Sequence, residues 1–189
     1  DKYQIMKSIG EGTYSSVYLA QNKITREYVA IKVLKKNYLT MKESLDLIEI
    51  KILRNLSHPN LVKLIELNHD NAGRVYMVLE YCDCNLYEFM EMHNQCKCFI
   101  PEIIICEIMY QTISGMAYLN SKGLFHRDMK PENILIKLNG YQINSDEKTN
   151  KNKIKVKICD FGTTRQIEKD KTIPLTDYIS TRWYRSPEC

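Results

Sequence analysis

Residues 3 to 34 alternate apolar and polar positions with the period of two that a half-buried strand imposes, the apolar or aromatic members being Tyr3, Ile5, Val17, Tyr18, Leu19, Tyr28, Val29, Ile31 and Val33. The period then changes. Thr40 and Glu43 have the spacing of a capping box, and the stretch from there to Leu56 predicts a helix with Leu45, Ile52, Leu53 and Leu56 at core spacing. Glu49 falls on that stripe, four residues from Leu45 and from Leu53. A carboxylate on a buried face is costly unless paired, so Glu49 requires a cation, and Lys32, at the end of the strand Val29-Ala30-Ile31-Lys32, is the candidate. Ser57-His58-Pro59-Asn60 stops the helix, and two apolar runs, 61–67 and 75–79, follow around an Asn/Asp/Gly turn near 70–73.

At Glu80-Tyr81-Cys82-Asp83 the pattern passes from strand-rich to helix-rich, which predicts a boundary between a first domain, 1–82, and a second, 83–189. Pro101 opens a helix running to about residue 121, where a missing N–H costs nothing, and Gly123 closes it after Lys122. Leu135 and Ile136 predict a short strand. The Asn/Lys-rich stretch at about 138–153 reads as an insertion, and a strand returns over 151–158 with lysines on one face and Ile154, Val156 and Ile158 on the other.

Composition narrows the classes. A chain of 189 residues with 44% hydrophobic content can build a core in one domain or two small ones. No apolar run approaches the roughly 18 residues of a membrane span, so no membrane partner is expected and the chain reads as soluble and intracellular. The seven cysteines are odd in number, and the C-x-C pairs Cys82/Cys84 and Cys96/Cys98 lack the partners of a zinc site; reduced thiols are expected. The net charge of +4 owes much to lysines 148, 151, 153, 155 and 157, which read as a solvated face and not as a nucleic-acid surface.

Candidate chemistry concentrates in Phe125-His126-Arg127-Asp128-Met129-Lys130-Pro131-Glu132-Asn133. One short loop carries an acid able to take a proton from an attacking hydroxyl (Asp128), a cation able to offset charge on a phosphoryl group (Lys130) and an amide able to hold magnesium (Asn133), the set that phosphoryl transfer needs. Ile9-Gly10-Glu11-Gly12 lies between the first two predicted strands, and its glycines would let backbone N–H groups approach phosphate. Asp160-Phe161-Gly162 follows a strand whose end would place Asp160 as a second magnesium ligand.

H-R-D, then four residues, then Asn, together with V-A-I-K and D-F-G, resembles the eukaryotic protein kinases. The end of the chain, Thr176-Asp177-Tyr178 through Arg182-Trp183-Tyr184-Arg185-Ser186-Pro187-Glu188, resembles the group containing mitogen-activated and cyclin-dependent kinases. With Asn85-Leu86-Tyr87 and Ile108-Met109-Tyr110-Gln111 it is most similar to the subfamily of male-germ-cell-associated and intestinal-cell kinases. The resemblance implies an α+β bilobal fold: an antiparallel sheet plus one helix in the N-lobe, and a mainly helical C-lobe that is incomplete after the A-P-E-like motif.

It further implies ATP and magnesium, a protein substrate carrying a serine or threonine, and an upstream activating kinase. Ile9, Gly10, Gly12, Val17, Ala30, Lys32, Leu79, Glu80, Cys82 and Leu135 would line the nucleotide, and Leu53, Leu64, His126 and Phe161 would form one apolar column. No cyclin is expected, since the cyclin-binding helix signature of cyclin-dependent kinases is absent before Glu49; Ile48 stands where these relatives usually carry an arginine that would link a phosphothreonine to the helix. Phosphorylated Thr176 would pair with Arg127 and Arg165, phosphorylated Tyr178 with Arg182 and Arg185, and Thr13 and Tyr14 match an inhibitory pair. Arg185 and the Trp183 region imply a preference for proline after the target residue.

Three departures qualify the match: Ser15 for the third glycine of the glycine-rich loop, Thr163-Thr164 after D-F-G for the usual Leu-Ala, and Ser186 for alanine in A-P-E. A chain ending at Cys189 is expected to be a fragment whose helical lobe leaves apolar surface uncovered, with poor solubility alone. The alternatives are a non-catalytic binding module on the same fold and, further behind, a nucleic-acid binder using the lysine strand. Cytoplasm or nucleus is the expected location, with cilium or flagellum by subfamily resemblance.

Overall fold

The β-branched and aromatic runs of the first 80 residues form a curled antiparallel sheet. The structure, a computed structural model, describes residues 2–38, 41–143, 153–166 and 182–184. The chain divides into two compact units, one of Asp1–Ser57 with Val62–Tyr81, the other of His58–Leu61 with Cys82–Cys189.

In the first unit, β1 (Tyr3–Glu11), β2 (Ser15–Asn22), β3 (Tyr28–Leu34), β4 (Leu64–His69) and β5 (Val75–Glu80) make a five-stranded sheet in the order β1-β2-β3-β5-β4. Alternation places Ala20, Val29, Ile31 and Val78 in one buried cluster, against which Tyr3, Val33 and Tyr76 pack. The two edge strands meet: Glu66 of β4 accepts from the Tyr3 hydroxyl at 2.8 Å. The β4–β5 turn is held by Asp70, whose carboxylate accepts from the Arg74 and Ala72 backbone N–H groups and from the Tyr76 hydroxyl, which keeps its pKa down at about 2.

The single helix anticipated up to Leu56 is two short ones, α1 (Met41–Leu45) and α2 (Ile48–Asn55). The Asp46 N–H reaches the Glu43 carbonyl and the Leu47 N–H the Ser44 carbonyl, three residues back each time, and this tight turn ends α1. Leu47 is extended, and Asp46, a weak helix-interior residue, stands instead just ahead of α2, where a carboxylate suits the positive end of the helix and pairs with Lys51 at 3.0 Å. Ile50, Ile52 and Leu53 are buried, whereas Leu45 and Leu56 at the ends of the predicted stripe are half-buried. Thr40, half of the predicted capping box, lies outside the described residues.

The second unit is built on α3 (Leu86–Gln95) and α4 (Glu102–Ser121) with a three-stranded sheet of β6 (Cys84–Asn85), β8 (Ile134–Leu138) and β9 (Ile154–Ile158). A two-stranded ribbon pairs β7 (Leu124–Phe125) with β10 (Arg165–Gln166). Asn85 caps α3, accepting from the Glu88 N–H at 2.8 Å while the Glu88 carboxylate accepts from the Asn85 N–H at 2.9 Å. Pro101 sits at the N-cap of α4, and Gly123 takes φ +70° beyond its end. Phe89, Ile104, Ile108, Ile134, Ile136, Ile154 and Val156 form the core of this unit.

Helix α4 crosses β9 at Gly115, where an added Cβ would lie 2.8 Å from the Ile158 side chain and 3.0 Å from the Asn60 carbonyl oxygen. One turn earlier the Gln111 amide donates to the Ile154 carbonyl at 3.0 Å and accepts from the Val156 N–H at 2.9 Å. Asn60 donates to the Val156 carbonyl at 3.1 Å and accepts from the Ile158 N–H at 2.9 Å. Among the described residues no helix is long and apolar enough to cross a membrane, no group of three metal-ligating side chains is found, and Cys82, Cys84, Cys96, Cys98, Cys106 and Cys159 are free thiols.

Candidate active site

The loop between β7 and β8 has little regular structure of its own, so side chains and strained backbone set its shape. Arg127 takes φ +67°, a left-handed conformation that costs an L-residue energy and persists only where surrounding bonds hold it. Asp128 is buried, and its carboxylate accepts from Lys130 Nζ at 3.1 Å and from Asn133 Nδ2 at 3.2 Å. Asn133 Nδ2 also donates to the Asp128 carbonyl at 2.8 Å, which orients the amide and turns its Oδ1 oxygen away from Asp128. The Asn133 carbonyl accepts from the Cys159 N–H at 3.0 Å, tying this loop to the end of β9.

Asp160 follows directly, at φ +62°, and its side chain is exposed. Phe161, fully buried, places its ring 5.5 Å from that of His126 in an edge-on contact. The unit thus presents a carboxylate acceptor, a cation, and two oxygen donors, the Asn133 amide and the Asp160 carboxylate, from loops bonded to each other. Oxygen donors of this kind suit a hard divalent cation such as magnesium.

His126 is buried and bonded through both ring nitrogens. Its Nε2 lies 2.9 Å from the Cys159 carbonyl, which can only accept, and its Nδ1 faces the Asp128 N–H at 3.3 Å, which can only donate. The ring is therefore neutral, with its proton on Nε2. Burial pushes its pKa below the ordinary 6.5. As pH falls through about 6.5 the unfolded chain takes up this proton first, so the stability present above that value erodes toward the lower folded-state pKa. In urea unfolding between about pH 7.5 and 5, the His126→Phe protein is expected to lose less stability on acidification than the wild type; equal losses would show that His126 is not buried neutral.

In the first unit, Lys32 Nζ stands 2.6 Å from Glu49 Oε1, both side chains 13% exposed. Lys32 comes from β3 and Glu49 from the first turn of α2, so the break that ends α1 is also what sets the carboxylate's height on its helix. Ile9, Gly10 and Val17 lie on the β1–β2 hairpin, with Gly10 paired to Val17, and the Gly12 N–H closes the turn on the Ser15 carbonyl at 2.9 Å. Ala30 and Leu79 are cross-strand partners on β3 and β5, with Glu80 following Leu79. Leu53 is buried on α2 and Leu64 half-buried on β4. Cys82 and Leu135, both half-buried, belong to the second unit.

Thr13 and Tyr14 are exposed at the hairpin tip, Tyr14 by 83%. Arg127 and Arg165 are near enough for Arg165 to help burial lower the Arg127 pKa. Trp183 is 89% exposed in a short turn, Arg182–Tyr184. Thr176, Tyr178, Arg185, Ser186 and Glu188, and the side chain of Arg182, lie outside the described residues. Sequence reading marked Thr163 only as a departure and gave it no partner; its hydroxyl donates to the His126 carbonyl at 3.0 Å and its own carbonyl accepts from Arg127 Nε at 2.7 Å. Sequence reading passed over the bond from the Tyr141 hydroxyl to buried His93 Nε2 at 2.8 Å, which fixes the start of the insertion against α3.

The family profile of the protein kinase domain matches residues 3–189. The chain belongs to the protein kinase family. Among curated relatives of this kinase, the serine/threonine-protein kinase MAK of Mus musculus is 40% identical over 188 residues, covering 100% of the chain and 27% of the mouse protein. The serine/threonine-protein kinase ICK of Rattus norvegicus is 39% identical, covering 100% and 27%. Cyclin-dependent kinase F-4 of Oryza sativa subsp. japonica is 38% identical, covering 100% and 36%. The kinase therefore spans between about a quarter and just over a third of the length of these relatives.

Proposed function

We propose that the chain is the ATP-dependent part of a serine/threonine protein kinase that transfers the γ-phosphate of ATP to protein hydroxyls. The observation that carries the reading is the bonded constellation of Asp128, Lys130 and Asn133, joined to the turn that bears Asp160. Asp128 takes the proton of the attacking hydroxyl, and Lys130 offsets charge on the phosphoryl group. Asn133 and Asp160 would hold magnesium, which when bound would supply positive charge against the phosphates. In the first unit the Glu49 carboxylate holds Lys32 for the α- and β-phosphates.

The glycine-rich hairpin supports the nucleotide assignment. Neither Gly10 nor Gly12 has positive φ, and an added Cβ would meet its neighbours no closer than 3.4 Å, so the fold itself does not require glycine there. Close approach by something outside the chain does. Val17, Ala30 and Leu79 of the first unit supply apolar contacts to the base, and the Glu80 backbone a hydrogen bond.

Finer readings rest on motifs of the chain: Arg185 and the Trp183 region for a preference for proline after the target residue, Thr176-Asp177-Tyr178 for activation by an upstream kinase, and the subfamily resemblance for a ciliary or flagellar location. Likeness to a cyclin-dependent kinase F-4 makes a cyclin-like partner a question for binding assays; the absence of the cyclin-binding helix signature before Glu49 argues against one. The direct test is magnesium-dependent transfer of labelled γ-phosphate to a generic basic protein and to paired Ser-Pro and Ser-Ala peptides. Folded protein that binds ATP and transfers no label would point to a binding module instead.

A further inference from the structure

The geometry points to Thr163 as a positioning residue whose hydroxyl latches the metal-binding turn onto the loop that carries Asp128; this rests on the kinase reading above. Asp160 stands in left-handed backbone at φ +62°, a conformation that neighbouring bonds must hold. Those bonds converge on one residue. Before Asp160, the Cys159 carbonyl accepts from His126 Nε2 at 2.9 Å; after it, Thr163 Oγ1 donates to the His126 carbonyl at 3.0 Å. The strained aspartate is thus bracketed by two bonds to His126, one to its ring and one to its backbone.

Arg127 adds a third link, Nε to the Thr163 carbonyl at 2.7 Å, and the Thr164 N–H closes the turn on the Phe161 carbonyl at 3.1 Å. A backbone carbonyl at 163 is supplied by any residue, whereas the bond to His126 needs a hydroxyl. Leucine, the usual residue at this place in the kinases the chain resembles, could not make it. Thr163 therefore replaces an apolar contact by a directed one, and its removal frees the turn without touching Asp160, Asn133 or Asp128. Thr163 holds the backbone on which the metal ligand stands, and loosening it raises the magnesium concentration the reaction requires.

The test compares wild type, Thr163→Val and Thr163→Ser in the full-length protein. Backbone hydrogen exchange at Cys159 and Thr164 is measured without nucleotide, and the half-saturating magnesium concentration in phosphate transfer with it. Losing one neutral hydrogen bond predicts about fivefold faster exchange and about fivefold higher magnesium requirement for Thr163→Val, with Thr163→Ser within about twofold of wild type. Unchanged exchange in Thr163→Val, a serine variant as impaired as the valine one, or faster exchange with unchanged magnesium requirement each overturns the proposal. A wild type that shows no magnesium-dependent transfer fails the kinase reading instead, and exchange still reports on the latch.

Discussion

Replacing Asp128 by asparagine is expected to lower phosphate transfer by about 10²- to 10⁴-fold, the range a positioned general base contributes, while ATP affinity and thermal midpoint stay near the wild-type values. The substitution is chosen for what it keeps. An asparagine has the volume of the aspartate, and its amide oxygen can still accept from Lys130 Nζ and Asn133 Nδ2, the partners at 3.1 and 3.2 Å. What it loses is the ability to take up a proton, and with it the charge that faces Lys130. Alanine would instead remove the carboxylate acceptor of Lys130 Nζ and Asn133 Nδ2 from a buried position and confuse catalysis with folding. Residual transfer within a few fold of wild type would show that Asp128 is not the base.

Gly115→Val is expected to destabilise the second unit by about 3 kcal/mol, through overpacking at a backbone contact. The added Cβ meets the Ile158 side chain at 2.8 Å, which can turn away, and the Asn60 carbonyl oxygen at 3.0 Å, which cannot without moving the backbone that bonds Ile158. Glycine in mid-helix is itself worth about 1 kcal/mol less than alanine, so Gly115→Ala recovers part of its cost and Gly115→Val, with a bulkier and stiffer side chain, does not. For a chain of this size the valine variant should melt roughly 6 to 12 °C lower. A midpoint within about 2 °C of wild type would mean that α4 does not press on β9 as closely as this. Because β9 runs into Cys159 and Asp160, the variant should also lose activity beyond what its unfolded fraction explains.

Sequence reading went furthest where chemistry is local. The loop 125–133 places acid, lysine and amide within six residues, and no long-range information was needed to bring them together. Glu49 was legible for a different reason: a carboxylate on an apolar stripe needs a cation, and Lys32 lies on the expected strand, two residues before its end, a pair the structure places at 2.6 Å. The helix that carries Glu49 was misjudged in length, because a three-residue-back turn at Asp46–Leu47 preserves the apolar spacing on both sides and leaves no glycine or proline to mark it.

The left-handed conformations of Arg127 and Asp160 were not legible, since arginine does not signal positive φ and aspartate, though it tolerates it, is far more often found elsewhere. Their conformations are imposed by bonds to residues 33 to 37 positions distant, His126 to Cys159 and Thr163 to His126 and Arg127, and such pairings have no periodicity to read. A glycine at 115, in the middle of α4, is explained only by the crossing of β9. Thr163 stood out as a departure from a pattern, but its partner could not be named from the chain alone.

The contacts of Gln111 and Asn60 with β9 have a consequence for how the molecule behaves among its own copies. β9 is the outer strand of its sheet, and outer strands expose a row of amide and carbonyl groups onto which another chain can add. Here the outward Ile154 carbonyl, both groups of Val156 and the Ile158 N–H are all taken by two side-chain amides and one backbone carbonyl. The strand beside the metal-binding turn is thereby closed to strand addition, and a kinase lacking the Gln111 amide would be expected to self-associate through that edge before it lost its fold.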